Sequence, residues 1–160
     1  MMNRRMFVGS AGALTVGLLL FGQSGLAATQ MRFAVNHTPA EWQHILGAQR
    51  YHILRDAGTE RPFSSPLNDE HRKGVFACAG CARPLFSSAT KFESGTGWPS
   101  FWKPLPNAVV TRSDRSLLME RTEVLCARCG GHLGHVFDDG PEPTGLRYCR
   151  NGLALRFRAA

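Results

Sequence analysis

The chain has 160 residues, of which 43% are hydrophobic and 19% charged, which is the ordinary range for one compact globular domain. Its formal net charge is +7, but the arginines are scattered along the sequence. A solvated surface explains this charge better than a nucleic-acid-binding stripe does, so that class of function is disfavoured.

The first 28 residues have the layout of an export signal. Arg4 and Arg5 precede an uncharged stretch over residues 6–26, which is followed by Ala27 and Ala28. The apolar centre is interrupted by glycines and is shorter than the roughly 20 apolar residues of a spanning helix. We therefore expect cleavage near Ala27 or Ala28, which would remove Arg4 and Arg5 and leave a net charge of +5. The alternative is an uncleaved signal that anchors the protein in the membrane, facing the periplasm.

The run Asn3-Arg4-Arg5-Met6-Phe7-Val8 resembles a twin-arginine signal, whose machinery exports folded proteins across the bacterial inner membrane. Two arginines also occur in the positive region of ordinary signals, which is the competing interpretation. Either signal predicts a periplasmic protein. Export after folding would suit a protein that takes up a metal ion in the cytoplasm.

A helix is predicted to begin at residue 38. Thr38 is placed to be the N-cap, Pro39 to be the first helical residue and Glu41 to close a capping box. These side chains would satisfy backbone N–H groups that the first turn leaves unpaired. The sequence therefore predicts short helices at the start of the mature chain.

The apolar residues that follow predict which face of this helix is buried. Trp42, Ile45 and Leu46 share one face, and Gly47 can end the turn. A second short helical stretch is predicted over residues 49–56.

From residue 74 onward, short apolar runs alternate with Gly, Pro, Asn and Asp, which is typical of β-strands joined by turns. The sequence therefore predicts a mainly β domain of antiparallel sheet behind the helices. The predicted strands cover residues 75–78, 100–102, 108–112, 117–125, 133–137, 147–151 and 154–157.

Four of the five cysteines form two CxxC units, Cys78 with Cys81 and Cys126 with Cys129. Two such turns supply the four thiolates of a tetrahedral zinc site. The 44 intervening residues exceed the roughly 15 to 20 of a compact zinc ribbon, so we expect an inserted sheet. Two disulfides or a thioredoxin-like redox motif are the alternatives. Two matching pairs argue against a single redox motif, so a zinc ion is favoured. Its role is expected to be structural, because a shell of four thiolates leaves no position for substrate.

Cys149 is the cysteine that remains. If its segment is a strand, alternation places Arg147, Cys149 and Asn151 on one face. A guanidinium beside the thiol favours the thiolate, which is the nucleophilic form. The competing interpretation is that an unpaired cysteine is a small buried apolar residue.

Two further segments contain residue types found in active sites. His132 and His135 lie upstream of Cys149, and either could act as acid or base, or could simply cap or bridge backbone groups. In residues 92–102, glycines lead up to Trp98. Aromatic residues on such a loop can wall an apolar ligand site, although they are more often core residues.

Taken together, the motifs GTERPF (58–63), KFESGTGWPSF (91–101), HLGHVF (132–137) and RYC (147–149) closely resemble the B-type methionine sulfoxide reductases. The resemblance covers nearly the whole mature chain and implies a reductase domain over residues 38–160. It implies a β-tent of two antiparallel sheets, a zinc ion on the two CxxC pairs, and reduction of the R epimer of methionine sulfoxide in oxidised proteins. Each sulfoxide epimer requires its own enzyme.

Residue by residue, Cys149 matches the family nucleophile, and Trp98 matches the aromatic wall that receives the substrate methyl group. Phe137 is expected to complete that wall, and Asp139 to lie at the substrate site as the partner of a histidine. The residues that match the polar surroundings of the nucleophile are His132, His135, Arg147 and Asn151.

The implied chemistry is attack of the Cys149 thiolate on the sulfoxide sulfur while a histidine protonates the departing oxygen, which leaves a sulfenic acid. Many relatives carry a resolving cysteine where this chain has Thr96. With four cysteines assigned to zinc, we predict direct reduction of the sulfenic acid by an external thiol. A periplasmic thioredoxin-like protein is the natural candidate, and the enzyme is expected to be a monomer.

Arg150 is a second departure from the relatives, which commonly place an apolar residue there. On the strand prediction it faces away from Arg147 and Cys149, so we expect a surface position. If it turned inward, it would stabilise the thiolate further.

Two other functions compete with the reductase. A nucleic-acid-binding zinc ribbon also combines four cysteines with basic residues, but an export signal argues against it. The third possibility is a relative that has lost its catalytic activity. The intact Arg147-Tyr148-Cys149 run and the presence of both histidines argue against it.

Overall fold

The computed structural model describes residues 31–116 and 119–160. The predicted signal over residues 1–28 lies outside the described residues, as do Leu117 and Leu118 of the predicted strand 117–125. Residues 32–160 form one compact unit. Within the described ranges, no helix combines the length and the apolar character that crossing a membrane requires.

The helix α1 spans Pro39–Asp56 and begins as predicted. The backbone N–H of Thr38 donates to Glu41 Oε2 at 2.7 Å, and the N–H of Glu41 donates to Thr38 Oγ1 at 3.3 Å, which completes the capping box. Gly47 has φ 67°, a conformation that glycine adopts readily, and it interrupts the helical backbone. The two predicted helical stretches are therefore one helix with a kink.

Only part of the predicted apolar face of α1 is buried. Trp42 and Leu46 are buried as expected, and Ile53 and Leu54 continue the buried stripe beyond the kink. The side of the helix that carries Ile45 does not face the core, and this residue is 43% exposed, so its predicted inward position is wrong. The helix packs on one side only, against the strand at residues 132–137 and the 3₁₀ turn at residues 152–154.

The strands follow the helix and mostly match the predicted ones. Two short strands, Pro84–Ser87 and Lys91–Phe92, were not predicted, and the predicted strand 117–125 begins at Arg121. Short 3₁₀ helices occupy Ser88–Thr90 and Gly152–Ala154. In chain order the strands are β1 (Gly74–Cys78), β2 (Pro84–Ser87), β3 (Lys91–Phe92), β4 (Ser100–Phe101), β5 (Val109–Asp114), β6 (Arg121–Cys126), β7 (His132–Phe137), β8 (Arg147–Arg150) and β9 (Leu155–Ala159).

The strands form two antiparallel sheets, as expected from the resemblance. The smaller sheet has the order β2-β1-β9, and the larger has the order β3-β4-β8-β7-β6-β5. Cys149 lies on β8 near the middle of the larger sheet, where its register partners are His135 on β7 and Ser100 on β4.

Aromatic rings join the two sheets in the core. Phe76 of β1 and Phe86 of β2 both pack on Phe101 of β4, with ring centroids 4.9 Å and 4.5 Å away. All three side chains are fully buried, and each such burial contributes about 2 to 3 kcal/mol. This packing covers the inner face of the larger sheet and leaves its other face for the Cys149 site.

Candidate active site and metal centre

The four cysteines of the CxxC units lie together, as predicted. Their sulfur atoms are all within 4.8 Å of one another, with 3.7 Å between the sulfurs of Cys78 and Cys129 and 3.5 Å between those of Cys81 and Cys126. Zinc–sulfur bonds of about 2.3 Å place tetrahedral thiolates about 3.8 Å apart, whereas a disulfide bond measures about 2.0 Å. All four are free thiols in a cluster that could hold one metal ion, and the alternative of two disulfides is not what the structure shows.

The two CxxC units, Cys78 with Cys81 and Cys126 with Cys129, adopt the same local turn. The N–H of Ala82 donates to the carbonyl of Cys78, and the N–H of Gly130 donates to the carbonyl of Cys126, each at 2.9 Å. Ala82 and Gly130 have φ of 60° and 67°, which reverses the chain directly after each pair. Because Cys78 ends β1 and Cys126 ends β6, the cluster connects the two sheets.

The thiols of the cluster compete for protons. Hydrogen bonding with Cys129 lowers the pKa of Cys126 to about 7, whereas hydrogen bonding with Cys126 raises the pKa of Cys78. Four thiolates this close would require a cation to balance their charge, and a divalent metal ion could supply it. The donor set of four sulfurs fits zinc.

A separate cavity of about 140 Å³ opens beside Cys149. This volume suits one amino-acid side chain rather than a larger molecule. A larger cleft of about 860 Å³ runs along α1 and β9, but its wall contains no cysteine. The residues that line the smaller cavity are Thr59, Trp98, Arg121, Gly134, His135, Phe137, Cys149, Arg150 and Asn151.

The structure brings five of the predicted site residues into this wall, while His132, Arg147 and Asp139 lie outside the wall that the described residues form. Gly134 brings β7 close to β8, since a Cβ there would collide with the carbonyl oxygen of Cys149. The five predicted residues in the wall are Trp98, His135, Phe137, Cys149 and Asn151.

His135 is held by a carboxylate that the sequence analysis did not single out. Its Nε2 donates to Asp114 Oδ2 at 2.8 Å, and Arg121 Nη2 donates to the same oxygen at 2.7 Å. Hydrogen bonds from Ser116 hold the pKa of Asp114 well below its usual value. Burial lowers the pKa of His135, against the opposing effect of Asp114. The carboxylate therefore keeps the proton on Nε2 of a largely neutral imidazole.

His132 belongs to a second, more deeply buried network. Its Nδ1 donates to Glu123 Oε1 at 2.6 Å, and Arg112 donates to the other oxygen of Glu123. Burial alone would raise the pKa of Glu123, but hydrogen bonds from His132 and Arg112 hold it below its usual value. His132 Nε2 is buried without a hydrogen-bond partner in the described part of the chain, and the ring lies 5.5 Å from that of His135.

Asp139 does not partner a histidine, so that prediction is wrong. It accepts two hydrogen bonds from Arg147, at 2.9 and 2.8 Å, and the Arg147 guanidinium lies 4.4 Å from the centre of the Phe137 ring. Asp139 sits in the turn after β7 and reaches Arg147 at the start of β8, because the β7–β8 pairing brings those two ends together. The histidine partners come from β5 and β6 instead.

Asn151 and Trp98 are held in place by Glu60, which sequence reasoning also missed. The backbone N–H of Glu60 donates to Asn151 Oδ1 at 3.0 Å, and its carbonyl accepts from Trp98 Nε1 at 3.1 Å. Its carboxylate accepts from the N–H groups of Gly152 and Leu153 at 2.5 and 2.9 Å. One buried residue thus joins the aromatic wall, the amide and the 3₁₀ turn after β8. Its place in the GTERPF motif was the available signal.

Thr96 lies in a chain of hydroxyl groups near the thiol. Ser94 Oγ is 2.8 Å from both Thr96 Oγ1 and Ser100 Oγ, and Ser100 is the register partner of Cys149. The loop that precedes β4 therefore contributes hydroxyls, and no thiol, to this side of the site.

Arg150 is fully buried, so its predicted surface position is wrong. Strand alternation correctly turns its side chain away from that of Cys149. The opposite face of β8, however, is covered by the smaller sheet, and the guanidinium lies near the rings of Phe86 and Tyr148, 5.7 and 5.4 Å from their centres.

Known proteins resemble this chain over most of its length. The family described as "SelR domain" matches residues 46–159. The peptide methionine sulfoxide reductase MsrB of Methanosarcina barkeri is 54% identical over 126 residues, which are 78% of this chain and 89% of that protein. The protein of the same name from Leptospira interrogans is 52% identical over 129 residues, covering 80% and 98%. That of Pseudomonas putida is 50% identical over 125 residues, covering 78% and 95%.

Proposed function

Since the chain belongs to the methionine-R-sulfoxide reductases, which are oxidoreductases acting on sulfur groups, we propose that Cys149 is the nucleophile that reduces methionine sulfoxide through a sulfenic acid. One observation carries this proposal. Of the five thiols, four face one another in a closed cluster, and Cys149 alone lines a cavity that also contains an imidazole and an aromatic wall.

The shape of this cavity supports selection of one sulfoxide epimer. A sulfoxide sulfur carries an oxygen, a methyl group, the rest of the side chain and a lone pair in a tetrahedral arrangement. Trp98 and Phe137 form an apolar part of the wall, where the methyl group would pack, and His135 and Arg121 form a polar part, where the oxygen would lie. Only one epimer places both groups correctly while its sulfur faces Cys149.

The chemical step transfers the oxygen and two electrons. The Cys149 thiolate attacks the sulfoxide sulfur to form a transient sulfur–sulfur bond, and a proton is delivered to the sulfoxide oxygen. The oxygen then moves to the Cys149 sulfur as both the substrate sulfur–oxygen bond and the sulfur–sulfur bond break. The products are methionine and a sulfenic acid on Cys149. We assign the proton transfer to His135, because it lies in the cavity wall and Asp114 fixes its orientation. Its neutral ring would first take the thiol proton of Cys149 on Nδ1, which leaves the thiolate, and would then deliver that proton to the sulfoxide oxygen.

The four-cysteine cluster is proposed to bind one structural zinc ion through Cys78, Cys81, Cys126 and Cys129. When bound, the metal cross-links the two sheets and neutralises the thiolates. Its four protein ligands complete a tetrahedral shell, so substrate chemistry stays with Cys149.

Regeneration of Cys149 is proposed to use an external thiol reductant such as a thioredoxin-like protein. Two external thiols would reduce the sulfenic acid to the thiol, releasing one disulfide and one water. Thr96 and its hydroxyl neighbours supply no internal thiol, and the proposed zinc ion would occupy the other four cysteines. A mapped disulfide between Cys149 and a CxxC cysteine during turnover would contradict this part of the proposal.

We further propose that the enzyme is a monomer that repairs oxidised proteins in the periplasm, without binding nucleic acid. The support is the signal-like sequence of residues 1–28, with Arg4 and Arg5 before an uncharged stretch. Expression of the full chain with Arg4→Lys and Arg5→Lys should trap it in the cytoplasm if the signal is of the twin-arginine type. Fractionation that finds wild type and variant in the same compartment would overturn that assignment.

The catalytic proposal is tested with the zinc-loaded protein, a peptide carrying racemic methionine sulfoxide, and dithiothreitol. We expect the R epimer alone to be consumed, and Cys149→Ser to lower the rate by at least about 10³-fold, since a hydroxyl cannot replace the thiolate. The matched control is Thr96→Ser, which keeps the hydroxyl chain and should keep the rate within about twofold. Turnover that survives in Cys149→Ser would overturn the assignment of the nucleophile.

A further inference from the structure

The larger cleft, which runs along α1 and β9, has a volume of about 860 Å³ and takes no part in the reaction at Cys149. It adjoins the Cys149 cavity, because Thr59 lines both of them. The two walls also meet directly after β8, where Asn151 lines the cavity and the next residue, Gly152, lines the cleft. A molecule bound at Cys149 can therefore extend into the cleft.

A methionine sulfoxide inside a polypeptide needs such an extension. The cavity of about 140 Å³ has room for one side chain, but the neighbouring residues of the substrate follow at Cα steps of about 3.8 Å. A cleft of several hundred cubic ångströms holds several such side chains. Its wall includes the half-buried side chains of Leu67, Leu153 and Phe157, which can pack against the aliphatic parts of a bound segment.

The charged residues of this cleft are mostly cations. Its two acids are already engaged, since Glu70 pairs with Arg72 at 2.5 Å and the Glu60 carboxylate accepts hydrogen bonds from two backbone N–H groups. The arginines in the wall are Arg50, Arg61, Arg72 and Arg156. The wall therefore carries more positive charge than its own acids neutralise.

The cations in excess have no acidic partner of their own. Arg61 and Arg156 are exposed, and neither forms an ion pair within the described residues. Arg50 is half-buried and donates from Nη1 to the carbonyls of Leu153 and Leu155, at 3.1 and 3.3 Å. Burial lowers the pKa of Arg50, and the charge of Arg156 adds to this effect. An anionic group bound between these arginines would relieve their mutual repulsion.

We infer that this cleft binds the polypeptide segment next to the oxidised methionine, and that it selects segments carrying aspartate or glutamate. The inference deepens the proposed function and rests on it. The wall shared at Thr59 points to the substrate as the occupant, and the excess of arginine points to carboxylate side chains. Arginine binds a carboxylate through two parallel N–H donors, and complementary charge gives specificity to such a contact.

The test uses zinc-loaded protein, dithiothreitol and three peptides that differ only in the residues on both sides of one methionine sulfoxide. These flanking residues are Glu, Gln or Lys. We expect kcat/KM to be about tenfold higher for the Glu peptide than for the Lys peptide at about 0.05 M salt, mainly through KM. The preference should shrink at about 0.5 M salt, because the arginines at the edge of the cleft are exposed.

Variants of the cleft locate this preference. Arg61→Gln and Arg156→Gln should each lower the ratio of Glu to Lys peptide by about threefold, and Arg156→Glu should lower it further. The blocked amino acid N-acetyl-methionine sulfoxide amide has no flanking residues, so its rate should stay within about twofold in every variant. Arg32→Gln is the matched control, since it removes one exposed positive charge that does not line the cleft.

Several outcomes would overturn the inference. They are equal rates for the three peptides in wild type, a ratio that the cleft variants leave unchanged, and an equal effect of Arg32→Gln. If the variants change only the KM for a thioredoxin-like reductant, the cleft binds the reductant instead, which also overturns it. Failure of the proposed function is read separately, as turnover of the blocked amino acid that survives in Cys149→Ser.

Discussion

The two cysteine sites show how neighbours decide what a thiol does. In the CxxC cluster, sulfur faces sulfur at 3.5 to 3.7 Å, and each pair comes from one tight turn. At Cys149 the thiol stands apart from the other four, and its cavity is assembled from five separate stretches of chain around Thr59, Trp98, Arg121, residues 134–137 and residues 149–151. The first environment is suited to binding a metal ion, and the second leaves the sulfur accessible to substrate.

The two sites also differ in whether residues close in sequence or residues on distant strands build them. A CxxC turn needs only its own few residues and a reversed backbone after the second cysteine. The Cys149 site depends on the order β4-β8-β7-β6-β5 in the larger sheet, which brings Ser100, His135 and Asp114 around one strand. We therefore expect the first site to control folding and the second to control turnover.

The largest expected effect is on stability, and it distinguishes the two sites directly. We expect Cys129→Ser to lower the free energy of unfolding by about 4 kcal/mol or more, because it removes one metal ligand and the link between the sheets. Cys149→Ser is the matched control and should stay within about 1 kcal/mol of wild type. Urea unfolding and metal analysis measure both. Equal stability of the two variants would contradict the structural role of the cluster.

The next effect is on catalysis alone. We expect Asp114→Asn to lower kcat/KM by about 10- to 100-fold, because His135 loses the carboxylate that orients it. Metal content should remain that of wild type. Asp69→Asn changes an exposed aspartate of the described surface and serves as the control. A rate for Asp114→Asn that equals that of Asp69→Asn would show that the carboxylate does not act through His135.

The smallest effect concerns Glu123, which lies on β6 between the two sites. Its folded pKa is below the usual value, so its contribution to stability is complete above about pH 4.3 and is lost as the pH falls through the folded pKa. We expect Glu123→Gln to be about 2 kcal/mol less stable at pH 7, and the difference from wild type to shrink between about pH 5 and pH 3.

Thermal unfolding of both proteins over this pH range measures that difference. Loss of metal in acid affects the two proteins alike and cancels in the comparison. A stability difference that is constant with pH would mean that the Glu123 carboxylate is not the group responsible.

Several features of the fold were predictable because they depend on neighbours in sequence. The capping box of Thr38 and Glu41 and most of the strands are of this kind. Gly47 was expected to end the first helix, and it interrupts the helical backbone without ending α1. The strands β2 and β3 were missed because four-residue and two-residue strands show too little alternation to be recognised.

The errors in the site all involve packing between distant elements. Asp139 was expected to contact a histidine because it closely follows His132 and His135 in sequence. The pairing of β7 with β8 places it against Arg147 instead. Arg150 was expected at the surface because alternation turns it away from Cys149, but alternation does not tell whether another sheet covers that face.

The sequence by itself determined which four cysteines form the CxxC cluster and that Cys149 stands apart from them, since CxxC spacing and turn chemistry are local properties of the chain. It also determined, through motifs in a characteristic order, the family to which the chain belongs. Only the tertiary structure decided which acids hold His132 and His135, because strand register sets those distances. It likewise decided that a cation lies buried behind Cys149, because only the packing of the smaller sheet covers that face of β8.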